Sequence, residues 1–287
     1  MNRELNFEGQ SPLLYLIATP IGNLKEFSPR ALEVLSETDY VAAEDTRNSG
    51  KLLSYFQISK PFISCHEHNE EEAASSIVSL LKSGKKVCYM SDAGYPTVSD
   101  PGQRLVARCL DEGIKISVVS GPSAAINALA CSGLDSSHFY FEGFLPAKES
   151  ERNQELRELA KREETLIFYE SPHRITRTLV AMAASLGNRK AVIAREITKA
   201  HEEFIRGTLT DLACEPEDSL RGEMVIVVEG NKEKKETTDA EIGLALREEL
   251  DWGRSGKEAV KNVASNLNVP KNRVYDLYLR NFTENKV

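Results

Sequence analysis

Four short stretches of this chain combine glycine, proline and hydroxyl or carboxyl residues in a way that leaves room for a ligand against the backbone. They are residues 19–23 (Thr-Pro-Ile-Gly-Asn), 91–102 (Ser-Asp-Ala-Gly-Tyr-Pro-Thr-Val-Ser-Asp-Pro-Gly), 120–124 (Ser-Gly-Pro-Ser-Ala) and 169–174 (Tyr-Glu-Ser-Pro-His-Arg). The second holds two Gly, two Pro and two Asp in twelve residues. Glycine lets a bound group approach main-chain amides, and proline sets the loop shape before anything binds. One such loop is only a turn; several at the strand ends of one sheet favour a binding site. None contains G-x-x-x-x-G-K-[ST] or G-x-G-x-x-G, which disfavours a P-loop nucleotidase or a dinucleotide dehydrogenase.

Charged clusters flank these loops. Glu44-Asp45-Thr46-Arg47 puts two carboxylates and a guanidinium on one rim, although Asp45 or Thr46 could equally cap a helix with Arg47 facing solvent. Arg195-Glu196 and residues 199–203 gather charge at a strand end, or form the exposed tip of a hairpin. Cys65-His66-Glu67-His68 has metal-ligating residue types, but in an extended segment the two histidines share one face while Cys65 and Glu67 share the other. No H-E-x-x-H and no second cysteine pair completes a tetrahedral set, so no metal is expected and His66 or His68 reads better as a substrate contact. Five scattered cysteines (Cys65, Cys88, Cys109, Cys131, Cys214) argue against a disulfide framework. They are expected to act as small buried hydrophobes.

The elements that position these loops alternate in type. Residues 13–18 are apolar throughout, as in a strand covered on both faces of a parallel sheet. Further strands are read at 39–43, 62–66, 87–90 and 116–120. Between them lie a helix entered by Ser28 as cap and Pro29, one over 73–82 closed before Gly84, one from Asp100-Pro101 to 110, and a small-residue helix over 124–131. Strands joined by crossover helices make a parallel α/β sheet, whose ligands bind beyond the carboxyl ends of the strands. The pattern pauses over 132–138, predicting a domain boundary. Beyond it strands are read at 139–144, 166–169, 191–197, 203–206 and 225–228, with helices at 150–161 and 172–185. The third and fourth of these strands read as a hairpin, so this sheet is expected to be mixed.

Residues 231–238 read as a charged linker, followed by helical stretches at 239–250, 256–266 and 271–280. The Asn268-Val-Pro270 break resembles a helix-turn-helix turn. Over 252–287 there are seven Lys or Arg against three Asp or Glu, so this end is locally basic. The expected organisation is an N-terminal α/β domain over 1–132, a second over 133–231, and a linker with a basic helical tail over 232–287.

At 287 residues, 41% hydrophobic and 28% charged, the composition is that of a folded two-domain protein. No apolar run approaches the roughly 18–20 residues that span a bilayer, and the first residues lack the apolar core of a secretory signal. A cytoplasmic protein without a membrane partner is therefore expected. The net charge of −8 disfavours a globally basic nucleic-acid binder but allows a local basic face.

The ordered set Ala18-Thr-Pro-Ile-Gly-Asn-Leu24, Glu44-Asp-Thr-Arg47, His66-Glu-His-Asn-Glu70, Ser91-Asp-Ala-Gly94, Val98-Ser-Asp-Pro-Gly102, Gly121-Pro-Ser123, Phe168-Tyr-Glu-Ser-Pro-His-Arg174 and Ala194-Arg-Glu-Ile-Thr-Lys199 closely resembles the ribosomal RNA small subunit methyltransferase I family of the tetrapyrrole methylase superfamily. The resemblance spans about residues 12–230, and the basic tail resembles the helix-turn-helix domain common at the end of such enzymes. It implies two α/β domains of the tetrapyrrole-methylase type, with S-adenosylmethionine held in the cleft between them. It also implies a homodimer that 2′-O-methylates a cytidine ribose in the decoding region of 16S ribosomal RNA, within the small subunit.

Carried over by motif, the resemblance assigns Pro20, Asp92, Ala93, Gly94, Thr97, Val98, Ser123, Ala124, Tyr169, Glu170, Glu223, Met224 and Val225 to the donor pocket. The superfamily's central loop reads Gly-Asp-Pro where this chain has Asp-Ala-Gly, so the backbone role at Asp92 carries over better than a side-chain role. Asp45, Arg47 and His66 are expected to contact substrate. Removing or stabilising charge on a ribose hydroxyl needs a base or a fixed cation. Lys199 and Glu196 are the favoured pair on strand-end placement, with Glu170, His66 and Asp45–Arg47 as other candidates. Two other readings are a methylase of a small tetrapyrrole and a non-catalytic RNA-binding or assembly protein on the same fold.

Overall fold

The computed structural model describes residues 5–7, 13–216, 219–232 and 237–282. They belong to two units, Met1–Asn231 and Lys232–Val287.

In the first unit, β1 (Leu13–Ile17), β2 (Tyr40–Ala43), β3 (Phe62–Ser64), β4 (Val87–Met90) and β5 (Lys115–Val119) form an all-parallel sheet in the order β3-β2-β4-β1-β5. Its strands are short apolar runs because both faces are covered. Along β4, Val87 and Tyr89 join one core with Leu14, Ile77, Leu81 and Leu105, while Cys88 and Met90 join the other with Ile17, Leu35, Val41 and Leu53. Period-two alternation thus serves two apolar cores.

The helices are α1 (Pro29–Glu37), α2 (Thr46–Tyr55), α3 (Glu70–Lys82), α4 (Gln103–Asp111) and α5 (Ala124–Ser132). Ser28 caps α1 as expected, its hydroxyl accepting from the Ala31 amide at 3.1 Å. Helix α3 begins three residues earlier than its apolar spacing predicts, because Glu70, Glu71 and Glu72 form an acidic first turn favoured by the helix dipole. Helix α4 begins three residues later than the Asp100-Pro101 signal, with Gly102 as its cap residue. The cysteine expectation holds for three of five: Cys65, Cys88 and Cys109 are buried, whereas Cys131 and Cys214 are exposed.

The second sheet runs β6 (Phe139–Phe144), β7 (Thr165–Glu170), β10 (Met224–Val228), β8 (Lys190–Arg195), β9 (Glu203–Thr208). Only β6 and β7 are parallel, and β8–β9 is the antiparallel hairpin read from sequence. One face packs on α6 (Glu149–Leu159), α7 (Ile175–Leu186) and α8 (Leu209–Ala213). The other packs on α5, whose Ala125, Ala128 and Leu129 meet Ile167, Ala194, Val225 and Val227. A helix that leaves the first sheet therefore covers the second, and its alanines allow the close approach.

The second unit holds α9 (Asp239–Asp251), α10 (Gly256–Asn266) and α11 (Lys271–Phe282). They share a core of Ile242, Leu246, Val260, Val263, Val274 and Leu277. Thr238 and Ser255 start α9 and α10 with reciprocal bonds to Glu241 and Glu258. Four residues of the expected linker, 233–236, lie outside the described residues. Among the described residues no helix is long and apolar enough to cross a membrane.

Candidate functional site

Parallel strands share a direction, so the loops leaving β1, β2, β3, β4 and β5 all emerge at one edge of the first sheet. Two of them are stitched together: the Thr19 amide donates to the Gly94 carbonyl at 2.8 Å and the Gly94 amide to the Thr19 carbonyl at 3.1 Å. The Tyr95 hydroxyl accepts from the Gly121 amide at 3.2 Å, which ties in the loop after β5. Ser99 reaches the second sheet, where a Cβ on Gly143 would stand 2.9 Å from its hydroxyl. Gly143 has φ +77° and sits at the register shift in β6.

Two cavities lie beside the stitched strip. The loops divide their residues between them: Ile21 lines one and Pro20 and Gly22 the other, while Ala93 and Gly94 line the first and Ser91 and Asp92 the second. The first cavity, ≈ 330 Å³, is a cleft between the sheets. Tyr95, Val98, Ser99, Asp100, Ser123 and Ala124 contribute from one side, and Phe144, Tyr169, Glu170, Ser171, Pro172, Ala194, Ile197, Glu223, Met224 and Val225 from the other. The second, ≈ 360 Å³, is lined also by Leu24, Asn48, Ser49, Lys51, Leu52 and Tyr55.

Ten of the thirteen residues assigned to a donor pocket meet in the cleft: Ala93, Gly94, Val98, Ser123, Ala124, Tyr169, Glu170, Glu223, Met224 and Val225. Pro20 and Asp92 face the other cavity, where the Asp92 carboxylate accepts from the Asn48 amide at 2.9 Å. Thr97 lines neither cavity; at φ +74° it shapes the loop, its amide bonded to the Pro101 carbonyl. Phe144 and Ala194 escape sequence reasoning because they line the cleft only through strand register, and Ile197 because it lies in the turn past the end of β8 rather than in the strand read over 191–197. An apolar residue at the very end of a strand, as Phe144 is, is the available signal.

The cleft has apolar walls and carboxylates. Val98 and Phe144 are 44% and 55% exposed, so apolar surface is left for a ligand to cover. Burial raises the Asp100 carboxyl to about 6, reinforced by the Glu44 charge nearby. Burial likewise raises Glu44, with the Asp92 charge adding to it, and raises the Tyr169 phenol. Tyr169 is held edge-on by Phe141 and Phe144, with ring centroids 5.0 and 5.6 Å away. Glu170 is committed elsewhere, accepting from the Ser171 amide at 2.8 Å and the Thr178 hydroxyl at 2.6 Å with Arg174 at 3.4 Å. It fixes the turn after β7 rather than presenting a free base.

Lys199 and Glu196, which line neither cavity, form a triad with Glu223, which lines the cleft. The Lys199 ammonium donates to Glu196 at 2.9 Å and to Glu223 at 2.7 Å, and Glu196 also accepts from the Glu223 amide at 3.0 Å. Burial opposes the lysine's charge, but the bonds to Glu223 and Glu196 outweigh it and raise its pKa. The bond from Lys199, with that from the Glu223 amide, lowers the Glu196 carboxyl. The pair is thus charged at neutral pH. Glu196 and Thr198 are held at φ +50° and +69°, a conformation non-glycine residues rarely adopt. The Lys199 stem lies over Gly22, where a Cβ would meet its Cγ at 2.5 Å, so the triad spans from the β1 loop to the second sheet.

Asp45 takes the capping role read for it, accepting from the Arg47 amide at the start of α2, and also pairs with the Arg47 guanidinium at 2.8 Å. The side-chain bond from Arg47 lowers Asp45 to about 2. His66 lies past the end of β3, in a turn rather than an extended strand, its ring 6.0 Å from that of His68 and its Nδ1 buried without a partner. Asp45, Arg47 and His66 line neither cavity.

A model of the tetrapyrrole (corrin/porphyrin) methylases matches residues 13–213. Ribosomal RNA small subunit methyltransferase I of Bacillus subtilis is 44% identical over 97% of this chain and 98% of its own length. The protein of the same name from Synechocystis is 42% identical over 93% and 97%. Among solved structures, a uroporphyrin-III-C-methyltransferase from Thermus thermophilus superposes with a TM-score of 0.53 at 18% identity, covering 76% of this chain and 94% of that one. That likeness speaks for the fold.

Proposed function

Because the chain belongs to the tetrapyrrole methylase family, through its ribosomal RNA small subunit methyltransferase I branch, we propose that it is an S-adenosylmethionine-dependent methyltransferase of small-subunit ribosomal RNA. In finer terms, the acceptor is the 2′-hydroxyl of a cytidine in 16S RNA within the small subunit, and the enzyme acts as a cytoplasmic homodimer. One observation carries the reading: a relative 44% identical is matched over 97% of the chain, a span that includes every loop lining the cleft.

The residues present fit the donor. A cleft with uncovered apolar walls and the carboxylates of Asp100 and Glu223 suits a molecule with an aromatic base and two positive charges. Ala93, Ser123 and Ala124 would offer main-chain groups to it from the first sheet, while Gly94, Glu223, Met224 and Val225, whose backbones are already bonded, would line its pocket. Bound there, S-adenosylmethionine supplies an electrophilic methyl group. The chain's own task is to align the acceptor oxygen and manage its proton. Lys199, held as an ammonium, stabilises the alkoxide that develops as the proton leaves. Glu196 pins that ammonium. Glu223, whose side chain is 79% exposed, is the accessible carboxylate to receive the proton.

The test is calorimetric titration with S-adenosylmethionine, then methyl transfer to small subunits from a strain lacking the gene, with naked RNA in parallel. Lys199→Met and Glu196→Gln should each lower the single-turnover rate by about 10²-fold at saturating donor, with donor affinity unchanged. Full rates in both variants would remove the pair from catalysis. Donor binding without transfer to any RNA would refute the substrate.

A further inference from the structure

The second cavity lies outside the cleft where most of the donor-assigned residues meet, yet the same loops supply residues to both. Pro20, Gly22, Ser91 and Asp92 form its side of the stitched strip, and the Lys199 triad lies over Gly22 at their common rim. Its outer wall is α2. Tyr55 is 64% exposed and stands edge-on to Phe56 at 5.0 Å, Leu24 is 37% exposed, and Lys51 is exposed beside them. The floor is polar. The Asp92 carboxylate can only accept, so the Asn48 amide nitrogen is turned to it, leaving the Asn48 carbonyl and the second Asp92 oxygen as acceptors. Ser49, 3% exposed and lining the same cavity, has a hydroxyl with no partner.

Resting on the methyltransferase reading above, we infer that this cavity takes the acceptor nucleoside, unstacked from single-stranded RNA, and selects a pyrimidine that carries an exocyclic amine. A volume of ≈ 360 Å³ suits one nucleoside rather than a helix. Proteins read single-stranded RNA by splaying a base onto an aromatic side chain and bonding its edge, and Tyr55 offers that face. Acceptors at Asn48 and Asp92 match the amine of cytosine and oppose the carbonyl that uracil presents at the same place. Lys51 stands where a flanking phosphate would pass. A base so seated puts its ribose at the Gly22 rim, beside Lys199 and the open end of the donor cleft.

Two measurements on the full-length protein test this. In the first, Tyr55→Ala should lower kcat/KM on unmethylated small subunits by about ten-fold to a hundred-fold, Tyr55→Trp should restore it, and donor affinity by calorimetry should not move. In the second, a short oligoribonucleotide carrying 5-iodocytidine is photo-crosslinked to the protein, and the adduct should map to the peptide containing Tyr55. Oligo(C) should compete for that adduct better than oligo(U), and Asp92→Asn should erase the difference. Wild-type kcat/KM in Tyr55→Ala, an adduct confined to other peptides, or equal competition would overturn the inference. An adduct at Tyr55 from a protein that methylates no RNA would support the cavity and sink the methylation reading alone.

Discussion

Asp100 shows how a single residue can favour the ligand at the expense of the fold. Its carboxyl is raised to about 6 because burial disfavours the charge. A raised acid opposes folding as pH climbs from the usual carboxylate range through about 6, and the full penalty is present at neutral pH. Asp100→Asn should therefore stabilise the protein, by about 1 kcal/mol at most since the group is only half-buried, and raise its urea midpoint. The same change should weaken binding of the cationic donor. In the wild type, donor affinity should fall as pH drops through about 6, and a calorimetric series between about pH 5 and 8 checks the midpoint. Gly22 belongs to the same scale. With φ +146° and Lys199 packed over it, Gly22→Ala must displace the lysine stem, and a 1 Å displacement is enough to cost about 10²-fold in rate. Single-turnover rate should drop while donor affinity stays.

Among the elements, α3 and α4 are joined in a way that spacing along the chain does not announce. Glu70 is 6% exposed and opens α3, yet its Oε1 accepts from the amides of Gly102, Arg104 and Leu105 at 3.0, 2.7 and 3.1 Å. These are the unpaired donors at the start of α4. One buried carboxylate thereby pins the far end of the 91–102 loop. Glu70→Ala should destabilise the protein by about 2 kcal/mol, read as a lower urea midpoint, and should weaken donor binding as the loop loosens. The cap residue of α4 is glycine, so nothing local hinted that a carboxylate more than thirty residues away supplies the cap.

The alternation of strands and helices was legible because both faces of the first sheet are buried and each helix has one apolar stripe. The hairpin β8–β9 was legible for a similar reason, its polar turn breaking two apolar runs. Of helix α2 only the start was legible, in the reading of Asp45 as a cap; its extent was not, since Thr-Arg-Asn-Ser-Gly-Lys opens it and only Ser49 and Leu53 are buried. The cavity it walls was hidden with it. Likewise the loops 19–23, 91–102 and 120–124 stood out by composition, while Phe144 and Ala194 reach the same cleft through a strand register that no local pattern encodes. Asp92 illustrates the remaining gap: motif matching finds the loop, but the path of the backbone decides that Ser91 and Asp92 face one cavity and Ala93 and Gly94 the other.

For the molecule as a whole, net acidity coexists with a basic excess over residues 252–287. Those residues sit in a unit with its own apolar core, so removing it should leave the first unit's two sheets intact. Phosphate contacts release counterions and make affinity fall with salt. Deleting residues 238–287 should flatten the salt dependence of RNA binding while sparing donor affinity. A filter-binding series against potassium chloride checks it, and an unchanged slope would assign RNA contact to the first unit alone.

The loops joined at Thr19 and Gly94 supply residues to both cavities. A molecule that settles in one cavity restricts the motion of backbone that the other also needs, so the second arrival loses less freedom. The two equilibria are thereby coupled, and thermodynamic reciprocity requires the coupling to be equal in both directions. Whatever factor the methyl donor adds to the affinity for the acceptor, the acceptor must return to the donor.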